Sequence, residues 1–181
     1  MRHDLPRLLI LTMLVTIAGC ASRATTARSW SPQMAALFSD SSLKPDEVPR
    51  EKWSRDEEDQ LLRQMGFADT VAVGTLRLVS QYAPRDTPRQ LALAFRADEV
   101  LHGSLDKELD DARELTLRLD PSSREFRLAL HLQQQLPGAR FVLFLKHNAR
   151  GELHWACYRP SAQLLVELRT RFAWLARRPA G

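Results

Sequence analysis

The residues best suited to covalent chemistry are two cysteines, Cys20 and Cys157, in a chain of 181 residues. A thiolate is a nucleophile, and its surroundings decide what it can react with. Cys20 ends a segment that carries Arg2 and Arg7 and then an apolar run over residues 8–18. A basic start followed by such a run is typical of a secretory signal. The run is shorter than the roughly 20 residues that a membrane-spanning helix needs.

The end of this run, Ile17-Ala18-Gly19-Cys20, resembles the lipobox of bacterial lipoproteins. The resemblance implies cleavage after Gly19, a diacylglyceryl thioether on Cys20, and a further acyl chain such as palmitate on the new amino terminus. Two or more acyl chains hold a protein stably on a membrane. Ala21 stands where an aspartate would favour the inner membrane, so the pattern favours the outer membrane. The alternative is an ordinary signal peptide with a chance cysteine.

Acylation of Cys20 would leave Cys157 without a second cysteine, so no internal disulfide is expected. Cys157 lies in the apolar segment ELHWACYR. A lone cysteine in such a segment is usually a buried, unreactive side chain. A catalytic cysteine needs a base such as histidine, and no pairing of this kind is visible from the spacing. We therefore expect Cys157 to belong to the core.

The histidines do not form a metal-binding motif. None of them makes H-x-x-H, H-x-x-x-H or H-E-x-x-H with another. His147 and His154 flank a predicted hairpin and could approach each other, but two imidazoles without a third ligand make a poor zinc site. We predict no metal. The histidines that follow the signal segment are His102, His131, His147 and His154.

The acidic residues occur as sequence neighbours, and this is a poor arrangement for catalysis. General acid–base work needs carboxylates that face each other across a pocket, whereas adjacent residues on a strand point to opposite faces. The chain also has no G-x-S-x-G, P-loop or G-x-G-x-x-G motif. We predict no catalytic residues, no cofactor and no enzymatic activity. The clusters are Asp56 to Asp59, Asp98 with Glu99, and Asp110 with Asp111.

The formal net charge is +4, and arginine dominates the basic residues. Arginine binds phosphate through its forked guanidinium, but a coding bias towards arginine would give the same composition. Acidic residues are interleaved throughout, and no dense basic block occurs. We therefore predict no nucleic-acid partner.

The chain divides into a lipoprotein signal peptide at residues 1–19, a partly disordered tether at 20–52, and a single domain at 53–178. The tether is small, polar and proline-containing in most of its length. Within it, Ser31-Pro32 is typical of a helix start. We predict a short helix over residues 32–39 that docks on the domain.

Two further helices are predicted inside the domain. Ser54 and Glu57 match a capping box, which indicates a helix over residues 54–65 that Gly66 ends. Ser161 can cap a final amphipathic helix. Its predicted apolar face is Leu164, Leu165, Leu168, Phe172 and Leu175, and its C-terminal half carries Arg169, Arg171, Arg177 and Arg178. These arginines could contact anionic lipid headgroups, or they could simply be a solvated helix end.

Six segments have the pattern of β-strands. A bulge at Gly74 would place Val71 and Val73 on the same face as Leu76 and Leu78. RFVLFLK has the continuous apolar pattern of a strand that is buried on both faces. A hairpin turn is predicted at 148–151. The segments are TVAVGTLRLVS, QLALAFRADEVL, ELTLRLD, FRLALHLQ, RFVLFLK and ELHWACYR.

Residues 68–158 resemble netrin-like domains, the group that includes tissue inhibitors of metalloproteinases. The matching features are Val73-Gly74, the segment 97–103 (ADEVLHG) and the segment 138–145 (GARFVLFL). The resemblance implies a five-stranded OB-type barrel. The disulfides of that family are missing, and its inhibitors use a free N-terminal cysteine, so inhibition is not carried over.

We therefore expect a mainly β protein: a small antiparallel OB-like barrel or sandwich, with a capping helix before it and an amphipathic helix after it. We expect a non-enzymatic envelope lipoprotein, anchored to membrane lipid through Cys20 on the periplasmic face of the outer membrane. It would bind an envelope protein as part of an assembly. The alternative is a small-ligand binder or an enzyme whose site has no sequence motif.

Overall fold

The structure is a computed structural model that describes residues 30–38, 42–44, 52–81, 90–110, 112–132 and 134–177. Its strands form one curled sheet with flanking helices, which confirms the mainly β prediction. The elements are α1 (Pro32–Leu37), β1 (Ser42–Lys44), α2 (Arg55–Phe67), β2 (Thr70–Gln81), β3 (Gln90–His102), β4 (Glu114–Leu119), α3 (Arg124–His131), β5 (Arg140–His147), β6 (Leu153–Tyr158) and α4 (Ala162–Arg177).

The strand order across the sheet is β1-β6-β5-β2-β3-β4. All neighbours are antiparallel except β1 and β6, which are parallel. Strands β2, β3 and β4 are consecutive neighbours, and β5 returns to lie beside β2. This is a Greek-key arrangement. Partly open barrels of the OB type have Greek-key connections of this kind.

Both faces of the sheet are apolar, and each is covered. On one face, β2 and β5 pack against α1, α2 and α4 through residues such as Val71, Phe144 and Leu168. On the other face, Leu76, Leu117 and Leu143 belong to a second cluster that includes α3. Since β5 contributes to both clusters, it is buried from Phe141 to Lys146, as its continuous apolar pattern predicts.

The prediction of a bulge near Gly74 is confirmed, but its expected effect is wrong. The register between β2 and β3 shifts twice, and the residues left over, Asp98 and Leu101, belong to β3. Strand β2 therefore keeps its alternation, so that Val73 and Leu76 lie on opposite faces. Gly74 is required for another reason: a Cβ there would lie 2.1 Å from the Arg96 carbonyl oxygen.

Residues 126–131 of the segment FRLALHLQ belong to helix α3, so the prediction of a strand there is wrong. Its leucines alternate, but Ala129 and Leu132 are also spaced for one face of a helix, and both are buried. The Ser123 hydroxyl accepts a hydrogen bond from the Phe126 backbone N–H at 3.1 Å, which is an N-cap. The sixth strand is instead β1, which lies in the range assigned to the tether and pairs with β6.

The predicted helix near residue 32 is present as α1 and docks on the domain. Ser31 caps it and Pro32 occupies its first turn, while Met34 and Phe38 are buried. The capping box of Ser54 and Glu57 is also present at the start of α2. Gly66 does not end α2, because the helix continues to Phe67.

Helix α4 begins as predicted, because the Ser161 hydroxyl accepts a hydrogen bond from the Leu164 N–H at 3.2 Å. Leu164, Leu168 and Phe172 are buried in the core. Leu175 lies on the same side of the helix as Leu168, seven residues earlier, but it is 40% exposed and not part of the core. Among the described residues, no helix combines the length and the apolar character needed to cross a membrane.

A buried hydrogen-bond network joins α1, α2 and β6. The Gln64 side chain donates to the Leu37 carbonyl oxygen at 2.7 Å and accepts from the Tyr158 hydroxyl. Burial raises the pKa of the Tyr158 hydroxyl to about 12. Since buried amides are costly without partners, this network fixes the position of α1 on the domain.

A second polar contact joins the start of β2 to the end of β5. The Lys146 side chain is only 2% exposed, and its ammonium donates to the Asp69 carboxylate. The other oxygen of Asp69 accepts from the His147 backbone N–H at 2.9 Å. A buried ammonium is tolerated only when it is paired, so Asp69 is required by Lys146.

We expect the protein to lose stability between pH 10 and pH 12 because of Tyr158. Folding keeps the phenol protonated to a higher pH than the ordinary value of 10. The stabilisation is complete below pH 10 and is lost as the pH rises through about 12. Its full size is at most about 3 kcal/mol. Urea unfolding of the natural chain and Tyr158→Phe across this range measures it, and identical pH profiles would contradict the assignment.

We expect Asp69→Asn to destabilise the protein more than Lys146→Met. The asparagine keeps an acceptor for the His147 N–H but leaves the ammonium unpaired, at a cost of about 3 kcal/mol or more. Methionine removes the charge itself and fills similar space, so its cost is smaller. Chemical unfolding of both variants and of the double variant tests this. A loss in the double variant equal to the sum of the two single losses would show that the ion pair contributes nothing to stability.

Candidate functional site

Cys20, predicted to carry the lipid, and Gly19, predicted to precede the cleavage site, lie outside the described residues. The described part of the chain begins at Trp30, ten positions after Cys20. Trp30 packs against the cluster under α1, α2 and α4 and stacks on the His154 ring, with 4.5 Å between ring centroids. A tether at Cys20 would therefore enter the domain on the side of the sheet that α4 also covers.

Cys157 is buried in the core, as predicted. Cys157 is 0% exposed and belongs to the cluster that includes α3. Burial raises the pKa of its thiol far above the ordinary value. Because the thiolate is the reactive form, this environment makes Cys157 inert in the folded protein.

The histidines do not form a common site. In the register of β5 and β6, His147 pairs with Leu153 and His154 pairs with Lys146, so the two imidazoles lie on opposite faces of the sheet. The approach that the hairpin would have allowed does not occur. The His147 ring lies 3.6 Å from Asp69 and 3.4 Å from Glu108.

The described residues contain no group of three or more histidines, cysteines, aspartates or glutamates that could hold a metal ion. The other two histidines have separate surroundings. His102 stacks on Phe172 with 5.3 Å between centroids, and His131 is exposed at the end of α3.

The neighbouring carboxylates of β3 bind to different elements. Glu99 accepts a bidentate contact from Arg169 of α4, with Nη2 donating to Oε2 at 2.7 Å and Nε donating to Oε1 at 3.2 Å. Asp98 lies 3.7 Å from Arg140 of β5. They do not face each other across a pocket, so the geometry offers no acid–base pair at these positions.

A cleft of about 600 Å³ lies between the end of β3 and the loop that follows it. Its walls include residues from the bulged part of β3 and residues from the turn and loop up to β4. Those that carry polar or charged side chains are Arg96, Asp98, Glu99, Ser104, Asp106 and Arg113.

The cleft is shaped by backbone features. The bulges place Asp98 and Leu101 outside the register with β2, which bends β3 away from its partner. Gly103 has a φ of +73° and approaches so closely that a Cβ would lie 2.1 Å from the Asp69 carbonyl oxygen. The Ser104 carbonyl oxygen accepts from the Thr70 hydroxyl at 2.8 Å. These contacts hold the start of the loop against β2.

The charged side chains of the cleft differ in whether they have polar partners among the described residues. Asp98 and Glu99 are engaged by arginines, and the Asp106 carboxylate accepts from the Ser104 hydroxyl at 2.7 Å. Within the described residues, neither Arg96 nor Arg113 has an ion-pair partner. A guanidinium binds carboxylate or phosphate oxygens in bidentate geometry. The unbalanced groups of this cleft therefore suit an anion.

Arg113 is also unusual in its backbone. Its φ is +60°, the only positive value among the non-glycine residues that the structure describes. Such a conformation is uncommon for a long side chain and is often found where function constrains the backbone. The nearby Asp110 carboxylate accepts from the Glu114 backbone N–H at 2.8 Å, which fixes the turn. No sequence motif marks this site, because its parts meet only through the fold.

A second surface feature is the outward side of α4. Val166 is 60% exposed and Trp174 is 51% exposed, although the opposite side of the same helix is fully buried. Together with Arg171 and Leu175 they line an open groove of about 540 Å³. Large apolar side chains grouped in this way mark interaction surfaces more often than isolated ones do.

No family model, no curated protein and no solved structure matches this chain.

Proposed function

We propose that this chain is a bacterial envelope lipoprotein, anchored to a membrane through Cys20, that acts as a non-enzymatic binding or accessory component of an envelope assembly. The observation that carries the proposal is the segment Ile17-Ala18-Gly19-Cys20, which follows a basic start and a short apolar run. Its order of aliphatic, small, small and cysteine residues is that of a lipobox. Ala21 supports the outer membrane as the location.

The domain described here suits such a role. Its N-terminal segment is tied to the sheet through α1 and β1, so tension on an anchor would be carried by buried contacts such as Phe38 and Leu43. Its surface offers both a cleft and an exposed apolar helix face. The likeness of residues 68–158 to netrin-like domains remains part of the proposal and contributes only an OB-type barrel.

We expect Cys20 to be acylated in the natural chain, and a count of thiols measures this. In the denatured protein, one thiol per chain should react with Ellman's reagent. This is the thiol of Cys157, because the thioether of an acylated Cys20 does not react. In the folded protein, no thiol should react, since Cys157 is buried and burial raises the pKa of its thiol. Mass spectrometry of the N-terminal peptide should show the lipid.

The matched control is Cys157→Ala, in which no thiol should react with Ellman's reagent even after denaturation. Cys20→Ala should release the protein from the membrane fraction or leave it as an unprocessed precursor. Globomycin in the natural strain should likewise leave an unprocessed precursor. Two reactive thiols in the natural chain, with an unmodified peptide at Cys20, would overturn the proposal.

The cleft supports a second candidate function, binding of a small anionic ligand. The observation that favours it is the pair Arg96 and Arg113, which line the cleft without ion-pair partners in the described part of the chain, while Asp98 and Glu99 are paired with other arginines. A carboxylate or phosphate ester of modest size would satisfy both guanidinium groups.

We expect citrate or inorganic phosphate to raise the melting temperature of the natural chain, because a ligand that binds only the folded state stabilises it. The double variant Arg96→Gln and Arg113→Asn should lose this response. Asparagine is chosen because it tolerates the positive φ of residue 113. Arg118→Gln, an exposed arginine on β4, is the control and should respond normally. An equal response in all three proteins would exclude the cleft as an anion site.

A further inference from the structure

Helix α4 is apolar on two sides. Its inner side contributes Leu168 and Phe172 to the core, where they are 1% and 3% exposed. On its outer side, Val166 and Trp174 keep 60% and 51% of their surface exposed. Leu175 lies on the side of Leu168, seven residues earlier, and keeps 40%. Val166 and Trp174 are about 12 Å apart along the helix axis, at a rise of 1.5 Å per residue. The outer apolar side therefore extends over about two helical turns.

We infer that this outer side of α4 rests on the surface of an anionic lipid membrane. The inference rests on the proposed anchor at Cys20, which would hold the domain next to a bilayer. Tryptophan is suited to the boundary between headgroups and acyl chains, because its ring is apolar and its N–H is polar. Interfacial helices have this combination of aromatic and aliphatic residues with arginine or lysine beside them.

The charges on α4 agree with an anionic surface. Arg171 lies in the same groove as Trp174, and Arg177 is exposed one turn further on. Arg178 follows in the sequence. Glu167 is the one carboxylate of α4, so the outer side has a net positive charge. Arg169 is not counted, because it is paired with Glu99. Guanidinium groups bind phosphate oxygens well, and headgroup phosphates are available across such a membrane.

The position at which the tether joins the domain also supports contact between α4 and the membrane. Trp30 and Phe172 belong to the same packed layer on one face of the sheet. The chain from Cys20 to Trp30 has ten residue steps, which reach about 35 Å at most. An acylated Cys20 would therefore keep this helix layer near the bilayer. The tether itself adds Arg23 and Arg28, of the same sign as the exposed end of α4.

The test uses the full acylated chain, purified from membranes and reconstituted into vesicles of phosphatidylcholine with phosphatidylglycerol. Bromine on the acyl chains quenches nearby tryptophans, and the difference between the natural chain and Trp174→Phe isolates Trp174 from the other three tryptophans. We expect brominated anionic vesicles to reduce the Trp174 signal at least about twofold, since interfacial helices bury their apolar side among the acyl chains. Pure phosphatidylcholine should quench it less.

The charge dependence is tested with Arg171→Glu and Arg177→Glu together. This double variant should lose the quenching of Trp174 while it stays bound through its acyl chains. Arg118→Glu on β4 makes the same type of change away from α4 and should leave the quenching unchanged. Raised salt should also weaken the quenching, because the attraction is electrostatic.

The outcomes separate the inference from the proposed anchor. An acylated chain whose Trp174 is quenched by acrylamide in water but not by brominated lipid would overturn the inference and leave the anchor in place. Protection of Trp174 from both quenchers would also overturn it. If that protection rises with protein concentration, a second copy covers α4; if not, another protein does. An unmodified Cys20 with quenching of Trp174 by anionic vesicles would overturn the anchor and support the inference.

Discussion

The burial of β5 on both faces is the constraint on which the rest of this structure depends. A strand with apolar side chains on both sides must have a covering layer above and below it. Phe141 and Leu143 point into the cluster shared with α3, while Val142 and Phe144 point towards α1, α2 and α4. The curl of the sheet with α3 supplies one layer, and three helices from distant parts of the chain supply the other.

This constraint also explains the two buried polar contacts. Gln64 and Tyr158 lie where α1 and α2 meet the sheet, and their side chains satisfy each other and the Leu37 carbonyl. Lys146 lies where β5 ends, and Asp69 neutralises it. In both places a polar group enters an apolar layer and is matched by one specific partner, which fixes how the elements fit together.

Most elements were predictable because they depend on local signals. The capping box at Ser54 and the double-sided pattern of β5 both indicated their elements correctly. The error at α3 has a physical reason: its alternating leucines fit a strand, while the Ser123 cap and the spacing of Ala129 and Leu132 fit a helix. The local pattern allowed both, and the tertiary structure selected one.

The candidate sites were much less predictable. Arg96 and Arg113 are 17 positions apart and line the same cleft, at the place where β3 bulges and the following loop turns at Gly103. The lysine in the otherwise apolar strand β5 was a usable signal, since a buried ammonium requires an acid, but the sequence alone does not say which one. The outward exposure of Val166 and Trp174 likewise depends on which side of α4 the sheet covers.

The pairing of β1 with β6 has a consequence for how the protein forms. Ser42 lies opposite Ala156, so β1, the first of the described strands to be synthesised, must wait for β6, the last one. Until β6 is made, β1 and the edge of β5 that β6 covers have no neighbouring strand, and the closure of so long a loop is slow. An unpaired edge can join the edge of another chain. The interval between the appearance of these two strands is therefore when the newly made chain most needs protection from its own neighbours.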